Sequence, residues 1–115
     1  GINSVGIMSN DVNDYPEDSF ENMGEVAKKN KFSFPYLYDE TQEVAKKYGA
    51  ICTPDFFGYN LSLELQYRGR LDATRMTKTS NNLEPELLNA MIKVAQTGEG
   101  PTEQNPSVGC SIKWK

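Results

Sequence analysis

The chain has 115 residues, 37% apolar and 24% charged, with a net charge of −4. That suffices for one domain with its own core, and the acidic balance with scattered lysines argues against nucleic acid and anionic membranes, which require clustered positive charge. With no histidine and two cysteines, imidazole base chemistry, most transition-metal sites and a disulfide scaffold are also excluded.

Taken in order, Ser4 to Ser9 predicts a short strand, with Val5, Ile7 and Met8 apolar. Asn10 to Asp14 is a polar turn. Pro16 suits a first helical position, and Glu17, Asp18 and Glu21 favour the positive end of a helix. Phe20, Met23, Val26 and Ala27 recur at helical spacing and are expected to face a core, with Lys28, Lys29 and Lys31 at the far end. Phe32 to Tyr38 is aromatic and extended, interrupted by Pro35, which suits an edge strand or loop. Asp39 and Gln42 have capping-box spacing ahead of a helix over about 41–48, with Val44, Ala45 and Tyr48 inward and Gly49 as its stop.

Phe56 to Tyr59 predicts a buried strand and 60–62 a turn. Leu63, Leu65 and Tyr67 alternate with Glu64, Gln66 and Arg68, the pattern of a half-buried antiparallel strand. Residues 70–82 are polar and loop-like. Asn82 is placed to cap a helix whose inner face is Leu83, Leu87, Met91, Val94 and Ala95, closed by Gly98. The organisation is therefore a domain over 1–98 followed by an extended tail over 99–115. No apolar run approaches the roughly 18 residues that span a bilayer, and no secretory leader is visible, so a cytoplasmic protein is expected.

The stretch Ala50-Ile51-Cys52-Thr53-Pro54-Asp55-Phe56-Phe57 joins a predicted helix to a predicted strand. Its Thr-Pro bond is a candidate for cis geometry, which costs only about 0.5–1 kcal/mol at X-Pro. Cys52 is either a redox thiol beside the proline loop or a small buried apolar residue. Cys110 is a mobile resolving thiol, a static clip to Cys52 or a surface thiol. As a clip it closes a loop of nearly 60 residues, worth about 4 kcal/mol in the chain-entropy model.

Helix, Cys52-Thr53-Pro54, strand, hairpin, strand, helix resembles the second half of a thioredoxin-like α/β domain. The segments Phe34–Asp39, Glu43–Gly49 and Tyr67–Asp72, with the ending Gly109-Cys110-Ser111-Ile112-Lys113-Trp114, resemble the peroxiredoxin-like redoxins, the alkyl hydroperoxide reductase and thiol-specific antioxidant group. The resemblance implies a mixed sheet flanked by helices, with the first βα unit of the fold not among these residues. It implies that the chain is a fragment, or that another segment or subunit fills the gap between the strands at 4–9 and 56–59. It implies thiol-dependent oxidoreduction in the full-length protein, with peroxide or a protein disulfide as oxidant and thioredoxin or a small thiol as reductant, without a cofactor or metal. A homodimer is compatible with it. Cys52 and Cys110 would be secondary or resolving thiols. Thr53 and Pro54 would form the substrate-docking edge, and the primary nucleophile would lie ahead of Gly1, because neither Pro-x-x-x-Thr-x-x-Cys nor Cys-x-x-Cys occurs here. The competing reading is a non-catalytic binding or structural domain.

The acidic loop from Asp11 begins like a calcium site but lacks the later oxygen ligands and the glycine. Asn60-Leu61-Ser62 is formally a glycosylation sequon without a leader to support it. No phosphate-binding or hydrolase signature is present.

Overall fold

The computed structural model describes residues 2–73 and 83–115. Among these the chain is mixed α/β, with three α-helices and six short strands. In order they are β1 (Gly6–Met8), α1 (Phe20–Lys29), β2 (Tyr36–Tyr38), α2 (Glu43–Tyr48), β3 (Cys52–Thr53), β4 (Phe56–Tyr59), β5 (Leu65–Gly69), α3 (Glu86–Thr97) and β6 (Cys110–Ser111). The strands make three two-stranded ladders, β1 with β2, β3 with β6 and β4 with β5. Two units result, Gly1–Ile51 with Ile112–Lys115, and Cys52–Ser111. Among the described residues no helix is long and apolar enough to cross a membrane.

In the first unit β1 and β2 run parallel, with Ile7 opposite Leu37 and Met8 opposite Tyr38. Their connection is α1, as parallel pairing requires a crossover. Pro16 opens a 3-10 turn over Pro16–Asp18, and α1 starts later, at Phe20. Ser19 caps it by accepting from the Asn22 N–H at 3.2 Å. Of the predicted inner face only Met23 is buried; Phe20 is 62% exposed and Val26 43%. Phe20 instead meets Tyr38 edge-to-face, with ring centroids 6.5 Å apart.

Asp39 does help start α2, though not as a capping box. Its Oδ2 accepts from the Ala45 N–H at 2.9 Å and its Oδ1 from the Val44 N–H at 3.3 Å. The Ser9 hydroxyl donates to Oδ2 at 2.8 Å. Gln42 lies in the left-handed region at φ 65° and turns its amide away from Asp39. That amide is buried and forms the polar centre of the unit. Its Nε2 donates to the carbonyls of Ser9 at 2.8 Å and Lys113 at 2.9 Å, and its Oε1 accepts from the Lys115 N–H at 3.1 Å. The Asp11 N–H also donates to the Lys113 carbonyl, and the Lys113 N–H donates to Asn10 Oδ1. These hydrogen bonds, with Lys115 Nζ donating to the Glu40 carbonyl and the Ile112 N–H to that of Ile51, fix the last residues of the chain, and Ile112 is buried.

In the second unit β4 and β5 form an antiparallel hairpin with an irregularity between Gly58 and Tyr59. Leu63 does not join the predicted strand. It sits in the turn at φ 60°, 82% exposed, because Asn60 Oδ1 accepts from the Ser62 and Glu64 N–H groups and bends the chain there. Tyr67 and Gly58 are buried, and a Cβ at position 58 would run into Met91 Sδ of α3. The buried residues of α3 are Ala90 and Val94, while Ala95, predicted inward, is exposed. A face centred on 90 and 94 leaves position 95 about 100° round the helix. Proline 85 precedes α3 as its cap residue; the predicted cap, Asn82, lies outside the described residues.

Residues 100–107 have no regular structure but are tied along β5. The Gly100 N–H donates to Gln66 Oε1, and Gln104 Nε2 donates to the Gln66 carbonyl. The Arg68 N–H donates to Gln104 Oε1 and the Arg70 N–H to the Asn105 carbonyl. The Ser107 hydroxyl donates to the Gly69 carbonyl at 2.6 Å.

Candidate functional site

All four residues singled out by sequence lie on or beside the β3–β6 ladder of the second unit. Pairing is antiparallel, with Cys52 opposite Ser111 and Thr53 opposite Cys110. The Thr53–Pro54 bond is cis. Thr53 Oγ1 donates to the Cys110 carbonyl at 3.3 Å across a sequence separation of 57 residues. The chain therefore returns Cys110 to the Cys-Thr-Pro loop, and both cysteines are thiols.

Register decides which way the thiols point. Directly opposed residues share a face, and neighbours along a strand alternate. Cys52 and Ser111 therefore occupy one face of the ladder, and Thr53 and Cys110 the other. A disulfide needs Cβ atoms about 3.5–4.5 Å apart with converging bonds. Opposite faces deny that geometry, so a static Cys52–Cys110 clip does not fit this register.

The two thiols also differ in surroundings. Cys110 is exposed. Cys52 is half-buried, and its Sγ lies 3.8 Å from the Pro54 carbonyl and 3.7 Å from that of Ser107, to which it donates. Ser107 thus ties the site to β5: its hydroxyl donates to the Gly69 carbonyl and its own carbonyl receives the Cys52 thiol. Gly109 is the other neighbour that sequence reading passed over. A Cβ there would collide with the Thr53 carbonyl, so only glycine lets β6 lie this close. The glycine beside Cys110 was the visible signal for this; nothing marked Ser107.

Beyond the ladder, Asp55 has a buried side chain paired with Arg68 at 3.4 Å, and the Arg68 guanidinium lies 5.0 Å from the centre of the Phe57 ring. Arg70 binds Glu86 through two nitrogens, at 2.6 and 3.2 Å. The Arg70 bond holds the Glu86 carboxyl below its usual range, against opposing burial, and Asn105 adds a second donor. Burial pushes the Tyr67 phenol up, reinforced by Glu86, and its hydroxyl donates to the Arg70 carbonyl. Among the described residues no group of three or more His, Cys, Asp or Glu side chains is arranged to hold a metal.

No family model matches the chain, and no curated protein matches it. Three solved chains do, among them the following two. An uncharacterized conserved protein from Geobacillus kaustophilus is 47% identical over the whole of this chain, with a TM-score of 0.84. A hypothetical protein from Sinorhizobium meliloti is 40% identical, again over the whole chain, with a TM-score of 0.85. This chain spans 61% and 63% of those two proteins.

Proposed function

We infer that these residues belong to a thioredoxin-like, peroxiredoxin-like thiol oxidoreductase. The observation that carries this reading is the return of Cys110 to the Cys52-Thr53-Pro54 loop, directly opposite Thr53. Two thiols brought to one loop from distant parts of the sequence suit stepwise disulfide chemistry. In such chemistry a thiolate attacks peroxide, forming sulfenic acid and releasing hydroxide. A second thiol then displaces water to form a disulfide, which thioredoxin or a small thiol reduces. We assign the primary nucleophile to a residue outside these 115, with Cys52 and Cys110 as secondary thiols and Thr53 and Pro54 as the docking edge.

Peroxide at near-stoichiometric amounts, followed by alkylation and intact mass, tests the reading. Loss of alkylatable thiol that mild reductant restores supports it. Two fully alkylated cysteines after peroxide would reject a redox role for either residue.

The second reading is a non-catalytic binding domain on the same fold. It is favoured by the opposite-facing thiols and by the seating of the Cys52 Sγ near two backbone carbonyls. It predicts peroxide-inert thiols and normal folding of Cys52→Ser and Cys110→Ser.

A further inference from the structure

We propose that residues 100–107 form an edge seal. They close the outer edge of β5 against pairing with β5 of a second copy of this chain, and the Gln104 side chain stands in for the strand that is kept out. The inference lies wholly within the second unit and does not depend on the thiols.

Along one edge β5 pairs with β4. Main-chain groups alternate sides along a strand, so Gln66, Arg68 and Arg70 present theirs to the other edge. An open edge of this kind is a template for another strand. Here the Gln104 side chain meets it as a peptide group would. Its Nε2 donates to the Gln66 carbonyl at 2.8 Å, and its Oε1 accepts from the Arg68 N–H at 2.9 Å. The Asn105 carbonyl continues the row by accepting from the Arg70 N–H at 3.0 Å. Gln104 Nε2 also donates to the Pro101 carbonyl at 2.9 Å, which orients the amide. The Gly100 N–H donates to Gln66 Oε1 at 3.1 Å, and a Cβ at position 100 would fall on the Gln66 carbonyl. A Cβ at position 69 would meet the Asn105 carbonyl. Glycine at both positions lets the segment lie against β5.

A true strand here would satisfy β5 but present a new open edge, whereas a side-chain amide ends the sheet. The occupant kept out is a second β5, because this stretch is complementary to itself. Antiparallel pairing about Tyr67 places Gln66 opposite Arg68 of the second copy and Glu64 opposite its Arg70. Opposite charges then meet, and the arginines of the two copies stay apart. Leu65 and Leu71, both exposed, add apolar surface to the same stretch.

The test compares wild type with two unsealed chains by sedimentation over a range of concentrations and by amide exchange at Arg68. Gln104→Ala removes the amide. Gly100→Ala sets a methyl against the Gln66 carbonyl and lifts the segment by a different route, so it serves if the first variant folds poorly. In dilute solution the Arg68 amide should exchange about fivefold faster in both variants, as for loss of one hydrogen bond. On concentration their mass should rise roughly twofold relative to wild type, as for a two-fold symmetric pair, with the Arg68 amide protected again. Adding Glu64→Lys to Gln104→Ala sets a lysine opposite Arg70 of the second copy and should abolish that rise. Variants that keep the mass of wild type, with or without faster exchange, would overturn the seal. So would association that survives Glu64→Lys.

Discussion

The Gln42 amide donates to the Lys113 carbonyl at 2.9 Å, joining residues 71 apart in sequence. The same side chain serves Ser9 and Lys115, so one buried amide organises β1, the start of α2 and the end of the chain. Gln42→Ala leaves two carbonyls and one N–H without this partner. Each buried polar group left unpaired costs about 1–3 kcal/mol, and water entering the space recovers part of it. The expected loss is about 2–4 kcal/mol, seen as a lower urea midpoint. A variant within about 0.5 kcal/mol of wild type would show that the clasp is dispensable.

Asp39 contributes stability that depends on pH. Burial alone would raise its pKa, but the Ala45 N–H, the Ser9 hydroxyl and the Val44 and Gln42 N–H groups together bring it below the usual value. A depressed folded-state pKa stabilises above the unfolded value, near pH 4, and this is lost as pH falls through the folded value. Asp39→Asn presents an amide NH₂ to donors and should cost about 1–3 kcal/mol at neutral pH. Its urea midpoint should also fall less steeply than wild type below about pH 4. An acid limb as steep as that of wild type would remove Asp39 from the account.

Glu86 has the same sign for a different reason: the two-point Arg70 bond favours its charged form. The pair is partly exposed and screened by solvent, so its contribution is modest. Glu86→Gln should lose that contribution at pH 7 and little at low pH. Arg70→Lys should behave similarly, because an ammonium cannot reproduce the fork. Calorimetric melting at two pH values separates these effects from a general loss of packing.

Gly58 and Met91 form a steric pair. A Cβ at position 58 meets the Met91 sulfur, so Gly58→Ala overpacks the hairpin against α3 at a cost of about 1–3 kcal/mol. Met91→Ala removes the obstruction and, by itself, leaves a cavity. In the double variant the two costs should fall short of their sum by at least about 0.5 kcal/mol, the coupling expected of residues in contact. Strict additivity in a denaturant cycle would mean that the two positions do not press on one another.

Local chemistry made much of the element order legible in the sequence. Helical spacing located α1 and α3, and Gly49 and Gly98 stop their helices in the left-handed conformation, as glycine permits. Alternation found β5 but extended it to Leu63, because periodicity does not reveal that Asn60 will take the neighbouring N–H groups into a turn. Burial was overestimated for Phe20, Val44 and Tyr48, which share the helical pattern of their neighbours yet remain exposed.

The candidate residues Cys52, Thr53, Cys110 and Pro54 were readable one by one; their relationship was not. Residue types and spacing determined that the chain is mixed α/β, that it carries two thiols, and that one of them adjoins a Thr-Pro turn. Tertiary structure alone decided that Cys110 pairs with Thr53 rather than Cys52, because the register of β6 is set by contacts remote in sequence, such as the Ser107 hydroxyl on the Gly69 carbonyl. A shift of one residue reverses which side chains share a face, and no local pattern around either cysteine encodes that choice.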